Sequence, residues 1–304
     1  MFAGTGVGGI ALDQLGFENI GYSEIDPNAI VNYNENFPNR VNYGDITTID
    51  ENELSDFDVI IGGSPCQNIS IAQSKGINGL DGEASKLFYD YIRILNCKKP
   101  KWFIFENVKN LFSSNNGEDF KIVCKSFQEN YSIKFKLLNT SHYGVPQNRQ
   151  RVYIVGQRKD LGDFNYEFPN EVELNHKAQE LLESKVDDKY YLSDKMYKYV
   201  MSGGTKGYYH KPETDYDVAC TIVATMFKMH RAGIDNYYHT DYKPIDKTNL
   251  RRLTPRECAR LQGLPDTYKI VVSDTQAYRL FGNAMSLNVV SRVAEELYKQ
   301  YINK

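Results

Sequence analysis

The sequence has little of what marks exported, membrane-spanning or metal-clustered proteins. No apolar run approaches the roughly 20 residues that a membrane helix needs, and no membrane span is expected. No basic segment followed by an apolar stretch opens the chain, so no secretory signal is expected. The five cysteines (Cys66, Cys97, Cys124, Cys220 and Cys258) are scattered, odd in number and without a CxxC pair. This argues against a disulfide framework and a Cys-rich zinc site, and for reduced thiols in a cytoplasm. No internal repeat and no low-complexity linker is present. Neither sign of charge dominates, and a net charge of −3 does not by itself suggest a polyanionic partner.

What is present is enough for a sizeable core. A chain of 304 residues can fold as one large domain or two. Strand-like and helix-like segments alternate over the first half. Strands are expected at 1–4, 20–25, 41–46, 58–61, 102–105, 134–138 and 151–155, and helices at 10–15, 28–36, 86–97 and 118–130. Such βαβ alternation predicts an α/β fold, a doubly wound and mostly parallel sheet with helices on both faces. From about residue 170 the periodicity breaks, and residues 175–250 read as a smaller irregular module rich in Tyr, Lys, His and Gly. Order returns at Thr254-Pro255-Arg256-Glu257, an N-cap, a proline at the first helical position and a capping-box glutamate. A last amphipathic helix is expected at 286–300. Charge is uneven. Residues 195–260 hold 12 Lys and Arg against 7 Asp and Glu, leaving the remainder net acidic. This distribution suits an acidic body with a basic, polyanion-facing part, or is uneven surface charge without function.

Three clusters carry chemistry. Phe2-Ala3-Gly4-Thr5-Gly6 lies between a strand and a helix, where glycines let the backbone approach a ligand. Glu24 ends the next strand, at the spacing of a ribose-binding acid, and Asp45 ends the strand after that. Together they fit a nucleoside-containing cofactor at a switch point, or a tight turn with two surface acids. Gly62-Gly63-Ser64-Pro65-Cys66-Gln67 follows the apolar strand Val59-Ile60-Ile61. A cysteine there is either a small core residue or a rigidly presented nucleophile. Glu106-Asn107-Val108 also follows a buried strand and should lie at the same sheet edge. Arg149 and Arg151, two apart on an extended segment, are expected to point the same way and could hold a carboxylate, a phosphate or a base edge. The plain alternative is a surface salt-bridge ladder.

In order along the chain, these motifs resemble those of the cytosine-C5 DNA methyltransferases of bacterial and phage restriction-modification systems. The resemblance rests on the Phe2-Ala3-Gly4 loop, Gly44-Asp45-Ile46, Pro65-Cys66-Gln67, Glu106-Asn107-Val108, Gln147-x-Arg149-x-Arg151, the run from Arg252 to Gly263, and Phe281-Gly282-Asn283-Ala284. It covers nearly the full length. The first strand is short, Val7 stands where a second glycine is common, and Ala84 stands where an arginine is common.

The resemblance implies a Rossmann-like S-adenosylmethionine-dependent domain over 1–174, a smaller β-rich target-recognition domain over 175–253, and a C-terminal segment over 254–304 that returns to the first. It implies Cys66 as the nucleophile that adds to C6 of a flipped cytosine, Glu106 on N3 and the 4-amino group, Arg151 on O2, and Arg149 on Glu106 or a phosphate. Phe2, Gly4, Gly6, Glu24, Ile25, Asp45, Pro65 and Asn283 would hold S-adenosylmethionine, and no metal is implied. Gln67, Ser70, Thr221, Lys228 and Arg231 would contact DNA. Residues 68–86 resemble the family's mobile loop. The implied partner is double-stranded DNA, with a cognate restriction endonuclease acting separately, and the implied state is a cytoplasmic monomer with no membrane association. The alternatives are cytosine-C5 methylation of tRNA, a catalytically silent DNA-binding relative, and a nucleotide-dependent oxidoreductase. The last leaves the cysteine, glutamate and asparagine motifs without a purpose.

Overall fold

The structure, a computed structural model, describes the backbone of residues 1–65, 83–205, 208–209 and 211–302, and their side chains except at 83–86, 205 and 208–209. Two compact units emerge. The first comprises Met1–Leu138, Gln150–Asn170 and Val289–Lys304, and the second Asn139–Arg149 and Glu171–Asn288. In chain order the elements begin with α1 (Val7–Asp13), α2 (Pro27–Asn36), β1 (Val59–Gly62), α3 (Glu83–Lys98), β2 (Trp102–Val108), α4 (Glu118–Gln128) and β3 (Tyr131–Asn139). They continue with β4 (Gln147–Asn148), β5 (Gln150–Arg158), α5 (Asp194–Val200), β6 (Gly204–Thr205), β7 (Tyr208–Tyr209), β8 (Ala219–Cys220), β9 (Tyr237–His239) and β10 (Leu250–Arg252). The chain closes with α6 (Pro255–Leu261), α7 (Asp274–Asn283) and α8 (Leu287–Ile302).

The first unit is built on a sheet of order β1-β2-β5-β3. β2 reads Trp-Phe-Ile-Phe, an unbroken apolar run, because both of its faces are covered. It pairs in parallel with β1, from Val59 opposite Trp102 to Gly62 opposite Phe105. It pairs antiparallel with β5, from Trp102 opposite Gln157 to Val108 opposite Arg151. That antiparallel strand was not expected from the alternation of elements. Past β1 further backbone segments lie alongside. The Met1 amino group donates to Ile61 O, Ala3 N–H to Ser23 O, and Tyr43 N–H to Tyr22 O. The strands expected at 1–4, 20–25 and 41–46 do not form as strands; short neighbouring segments at 1–3, 22–23 and 41–43 are joined by few bonds, with Tyr22 and Asn42 in an isolated parallel bridge, while Phe2 and Gly44 have positive φ and Ile46 opens a short helical turn. The chain steps outward on one side through 1–3, 22–23 and 41–43, then returns to β1 and proceeds through β2 on the other side. Ligands of open α/β sheets bind in the crevice beyond such a reversal.

Helical periodicity in α3 places Phe88, Tyr91, Ile94 and Leu95 in the core. They pack with Phe105 of β2 and Phe127 of α4, and Phe103 stacks on Phe127 with ring centroids 4.3 Å apart. Phe127→Ala in such a cluster costs about 3–5 kcal/mol. The tail of α8 buries Val289, Val290, Val293 and Leu297, and Tyr166 donates to Val293 O.

The second unit holds short ladders, β9 with β10, β4 with β8 and β6 with β7. Its run from Arg251 to Gly263 is held by side-chain bonds. Pro255 opens α6, and Thr254 and Glu257 form the expected capping box. Glu257 also accepts two bonds from Arg251, at 2.8 and 2.6 Å, with both side chains fully buried. Arg251 is thus one of the cations of the basic stretch that contributes nothing to surface charge. Gln262 joins this run to α7 and the chain after it, donating to Phe281 O at 2.6 Å and accepting from Ser286 Oγ at 2.9 Å.

Candidate active site and cofactor cradle

The first loop turns sharply after Ala3, with Gly6 N–H donating to Ala3 O at 2.8 Å. Gly6 adopts φ 79° as the residue before α1. A Cβ there would lie 2.9 Å from the Tyr33 ring and also press on Phe37, so glycine is required on two counts. At Gly4, by contrast, a Cβ would meet nothing within 4 Å, so the loop opens onto free space at this point. Phe2 has φ 54°, an uncommon conformation for a side chain of its size, and packs partly against the core cluster.

Glu24 is tied to this loop. Its carboxylate accepts from Gly4 N–H at 2.9 Å, and from the N–H groups of Ile25 and Asp26 at 2.8 and 2.9 Å. A carboxylate offers about four acceptor sites, so about one is left for a ligand hydroxyl. Ile25, beside it, is 63% exposed, an apolar side chain lacking an apolar cover. Asp45 caps a short helical turn by accepting from Thr47 N–H at 2.9 Å. The structure therefore brings Gly4, Glu24 and Ile25 together at the ends of neighbouring segments. Open backbone, an acid and an exposed apolar face suit a nucleoside.

The second cluster lies at the ends of β1, β2 and β5. The register sets Glu106 diagonally from Arg151 on one face of the sheet. Arg151 Nε lies 3.1 Å from Glu106 Oε1, with the two side chains only 16% and 13% exposed. Asn107 reaches back from β2, and its Nδ2 lies 3.4 Å from Ser64 O and 3.5 Å from Ser64 Oγ, long contacts that hold the turn before Pro65. Gly63 passes so close to β2 that a Cβ there would collide with the Glu106 carbonyl and lie 3.0 Å from Glu106 Oε2. Pro65 is half-buried. Cys66, Gln67 and Ser70, and residues 68–82 of the resembling loop, lie outside the described residues.

The remaining expected site residues belong to the second unit. Arg149 is held on main-chain carbonyls of the second unit. It is 2% exposed, and its guanidinium donates to Ile222 O, Gly282 O and Ala284 O at 3.0, 3.2 and 2.6 Å. The main chain turns about Asn148, just before it, where Arg149 N–H donates to Gln147 O. Arg149 therefore separates β4 from β5, and the two arginines do not share one strand. Thr221 donates to Asn148 O at 2.6 Å. Arg231 donates to Ser202 Oγ and lies over the Tyr199 ring. Lys228 and Asn283 are exposed.

Two residues of these clusters have roles that the motifs alone do not state. Gly63 was visible only as part of a Gly-Gly pair. Asn42, which bonds both Glu24 and Gly44, could have been suspected as an asparagine two residues before a glycine at a strand end. Among the described residues no group of three His, Cys, Asp or Glu side chains could hold a metal ion, and no helix is long and apolar enough to cross a membrane.

A family model described as C-5 cytosine-specific DNA methylase matches residues 1–299. The chain belongs to that family. It is 37% identical over 309 residues to the Type II methyltransferase M1.ScrFI of Lactococcus lactis subsp. cremoris, covering 96% of this chain and 76% of the relative. It is 35% identical over 311 residues to the Type II methyltransferase M.HhaI of Haemophilus parahaemolyticus, covering 97% and 91%. Among solved structures it is similar to the Entamoeba histolytica methyltransferase EhMeth, with a TM-score of 0.79 at 20% identity over 99% of this chain and 97% of that one. S. pombe Dnmt2 methyltransferase superposes with a TM-score of 0.75 at 20% identity over 100% and 98%. At such identities these two likenesses speak to the fold.

Proposed function

We propose that this enzyme transfers a methyl group from S-adenosylmethionine to C5 of a cytosine flipped out of a short specific sequence in duplex DNA. The observation that carries the reading is the sheltered Glu106–Arg151 pair, packed against the Gly63-Ser64-Pro65 turn that leads directly to Cys66.

C5 of cytosine is a poor nucleophile, so it must be activated. The Cys66 thiolate adds to C6, and the electron pair displaced from the C5–C6 bond makes C5 nucleophilic. Glu106 engages N3 and the 4-amino group, offsetting the charge that develops on the ring. Arg151 holds Glu106 in place and meets O2. The bound donor supplies an electrophilic methyl group. A base then takes the C5 proton, the C5–C6 double bond re-forms and Cys66 departs as thiolate. Both ring faces must be reached, which requires base flipping.

The residues fit that donor. Glu24 accepts from the ribose, Ile25 and Phe2 cover the adenine, Asp45 accepts from its amino group, and Gly4, Gly6, Pro65 and Asn283 line the methionine part. The first unit is the catalytic and cofactor-binding body. The second carries target recognition through Thr221, Lys228 and Arg231, with Gln67 and Ser70 from the catalytic loop near the flipped base. Arg149 supports this unit from inside. The enzyme works as a cytoplasmic monomer on DNA, beside a separately acting endonuclease.

The test is transfer of labelled methyl groups to duplex DNA and to tRNA. We expect 5-methylcytosine in duplex DNA, lost in Glu106→Gln by about 10²–10⁴-fold. Methylation of tRNA alone would overturn the substrate assignment.

A further inference from the structure

The two carboxylates proposed for the nucleoside sit on different segments, and one side chain joins those segments. Tyr22 N–H donates to Val41 O at 2.9 Å, and Tyr43 N–H to Tyr22 O at 2.7 Å. Past Tyr43, side chains take over from the main-chain ladder. The Asn42 amide accepts from Glu24 N–H at 3.2 Å and donates through Nδ2 to Glu24 O at 3.1 Å. It thus pairs with both main-chain groups of Glu24, as a strand neighbour would. The same Oδ1 accepts from Gly44 N–H at 3.0 Å, an Asx turn that sets the reversal at Gly44, where φ is 72°. Ser23 Oγ adds a bond to Gly44 O at 2.7 Å. The residue after this reversal is Asp45.

We propose that Asn42 is a positioning residue of the cofactor site, whose single amide fixes the Glu24 main chain and the Gly44–Asp45 turn relative to one another. It acts through Glu24 and Asp45 without itself meeting the nucleoside. The inference rests on the S-adenosylmethionine reading of Glu24. A hydrogen bond contributes on the order of 1 kcal/mol, and 1.4 kcal/mol is tenfold in affinity.

The test compares Asn42→Ala, Asn42→Asp and Glu24→Gln in the full chain. The measurements are calorimetric binding of S-adenosylhomocysteine, steady-state kinetics and thermal midpoints. Asn42→Ala should raise the S-adenosylhomocysteine Kd and the KM for S-adenosylmethionine about tenfold. Saturating kcat and the KM for DNA should stay within about twofold. Asn42→Asp keeps both acceptor bonds and the turn but sets a carboxylate oxygen against Glu24 O and a charge beside Glu24, so it should weaken binding at least as much as Asn42→Ala. Glu24→Gln should weaken binding at least as much as Asn42→Ala. If Glu24→Gln weakens binding and Asn42→Ala does not, the positioning role is refuted and the cofactor reading stands. Losses in kcat, DNA affinity and thermal midpoint together in Asn42→Ala would refute it too and leave a general structural role. Unchanged binding in Glu24→Gln would overturn the cofactor reading and this proposal with it.

Discussion

Arg149→Met removes the guanidinium that holds three backbone carbonyls inside the second unit while keeping an apolar stem of similar length. The three acceptors, on Ile222, Gly282 and Ala284, are bonded at 3.0, 3.2 and 2.6 Å, and the side chain is 2% exposed. Water cannot simply replace the lost donors at such depth. Each carbonyl stripped of its partner costs on the order of 1–2 kcal/mol. The variant no longer buries a charge, which offsets part of that. A net loss of about 3 kcal/mol follows, or roughly 10 °C in the thermal midpoint of a unit of this size. Arg149→Lys can restore one of the bonds and should lose about 2 kcal/mol. Calorimetric melting of the full chain gives the number. Binding of S-adenosylhomocysteine, measured well below the midpoint, should weaken by no more than a few-fold, because most of the proposed cradle is built from 1–6, 22–26, 42–45 and Pro65 in the first unit and only Asn283 comes from the second. A midpoint within about 1 °C of wild type, with methyl transfer abolished, would exclude this internal support and assign Arg149 to the substrate.

Gly63→Ala drives a methyl group into the Glu106 carbonyl and toward its carboxylate. Displacing Glu106 by even about 1 Å should lower methyl transfer about 10²-fold, with S-adenosylhomocysteine affinity unchanged by calorimetry. Glu257→Ala strips Arg251 of its buried partner and removes half of the capping box. Urea denaturation should report a loss of about 3–5 kcal/mol. Asp274 lies 2.8 Å from Lys189 Nζ and 2.9 Å from Tyr190 Oη. Burial pushes its carboxyl upward, but these hydrogen bonds prevail and hold it below its ordinary value of 3.8. A lowered carboxylate contributes stability that is complete above the unfolded value and is lost as pH falls through the folded one. The thermal midpoint should therefore decline below about pH 4, less steeply in Asp274→Asn. An identical slope in both proteins would remove Asp274 from that account.

Local chemistry was readable from the sequence, and long-range geometry was not. The Thr254–Glu257 capping box and Pro255 stand where the residues place them because a helix start is decided within four residues. The apolar stripe of α3 and the double-faced run of β2 were legible for the same reason. The segments at 1–3, 22–23 and 41–43 lie side by side where the sequence places strands, but they form no ladder, because their pairing depends on a few bonds between distant segments and on the Asn42 side chain. The direction of β5 left no periodic trace, since a buried strand looks alike in either sense. Arg149 and Arg151 do not lie on one strand, because the two-residue spacing implies a shared face only within a single strand and the chain turns at Asn148. Of the proposed chemistry, the Glu106–Arg151 pair was only partly foreseeable. Their motifs announced both residues, yet the diagonal register that joins them belongs to the tertiary fold.

The central claim is that Cys66 forms a covalent bond to C6 of the target cytosine. Duplex DNA in which the target cytosine is replaced by 5-fluorocytosine blocks loss of the C5 substituent, so the adduct cannot resolve. Incubation with S-adenosylmethionine should give a denaturant-stable protein–DNA complex whose cross-linked peptide contains Cys66, and Cys66→Ser should give none while still binding S-adenosylhomocysteine. Methyl transfer by Cys66→Ser at the wild-type rate, or a cross-link mapped to another residue, would contradict the account.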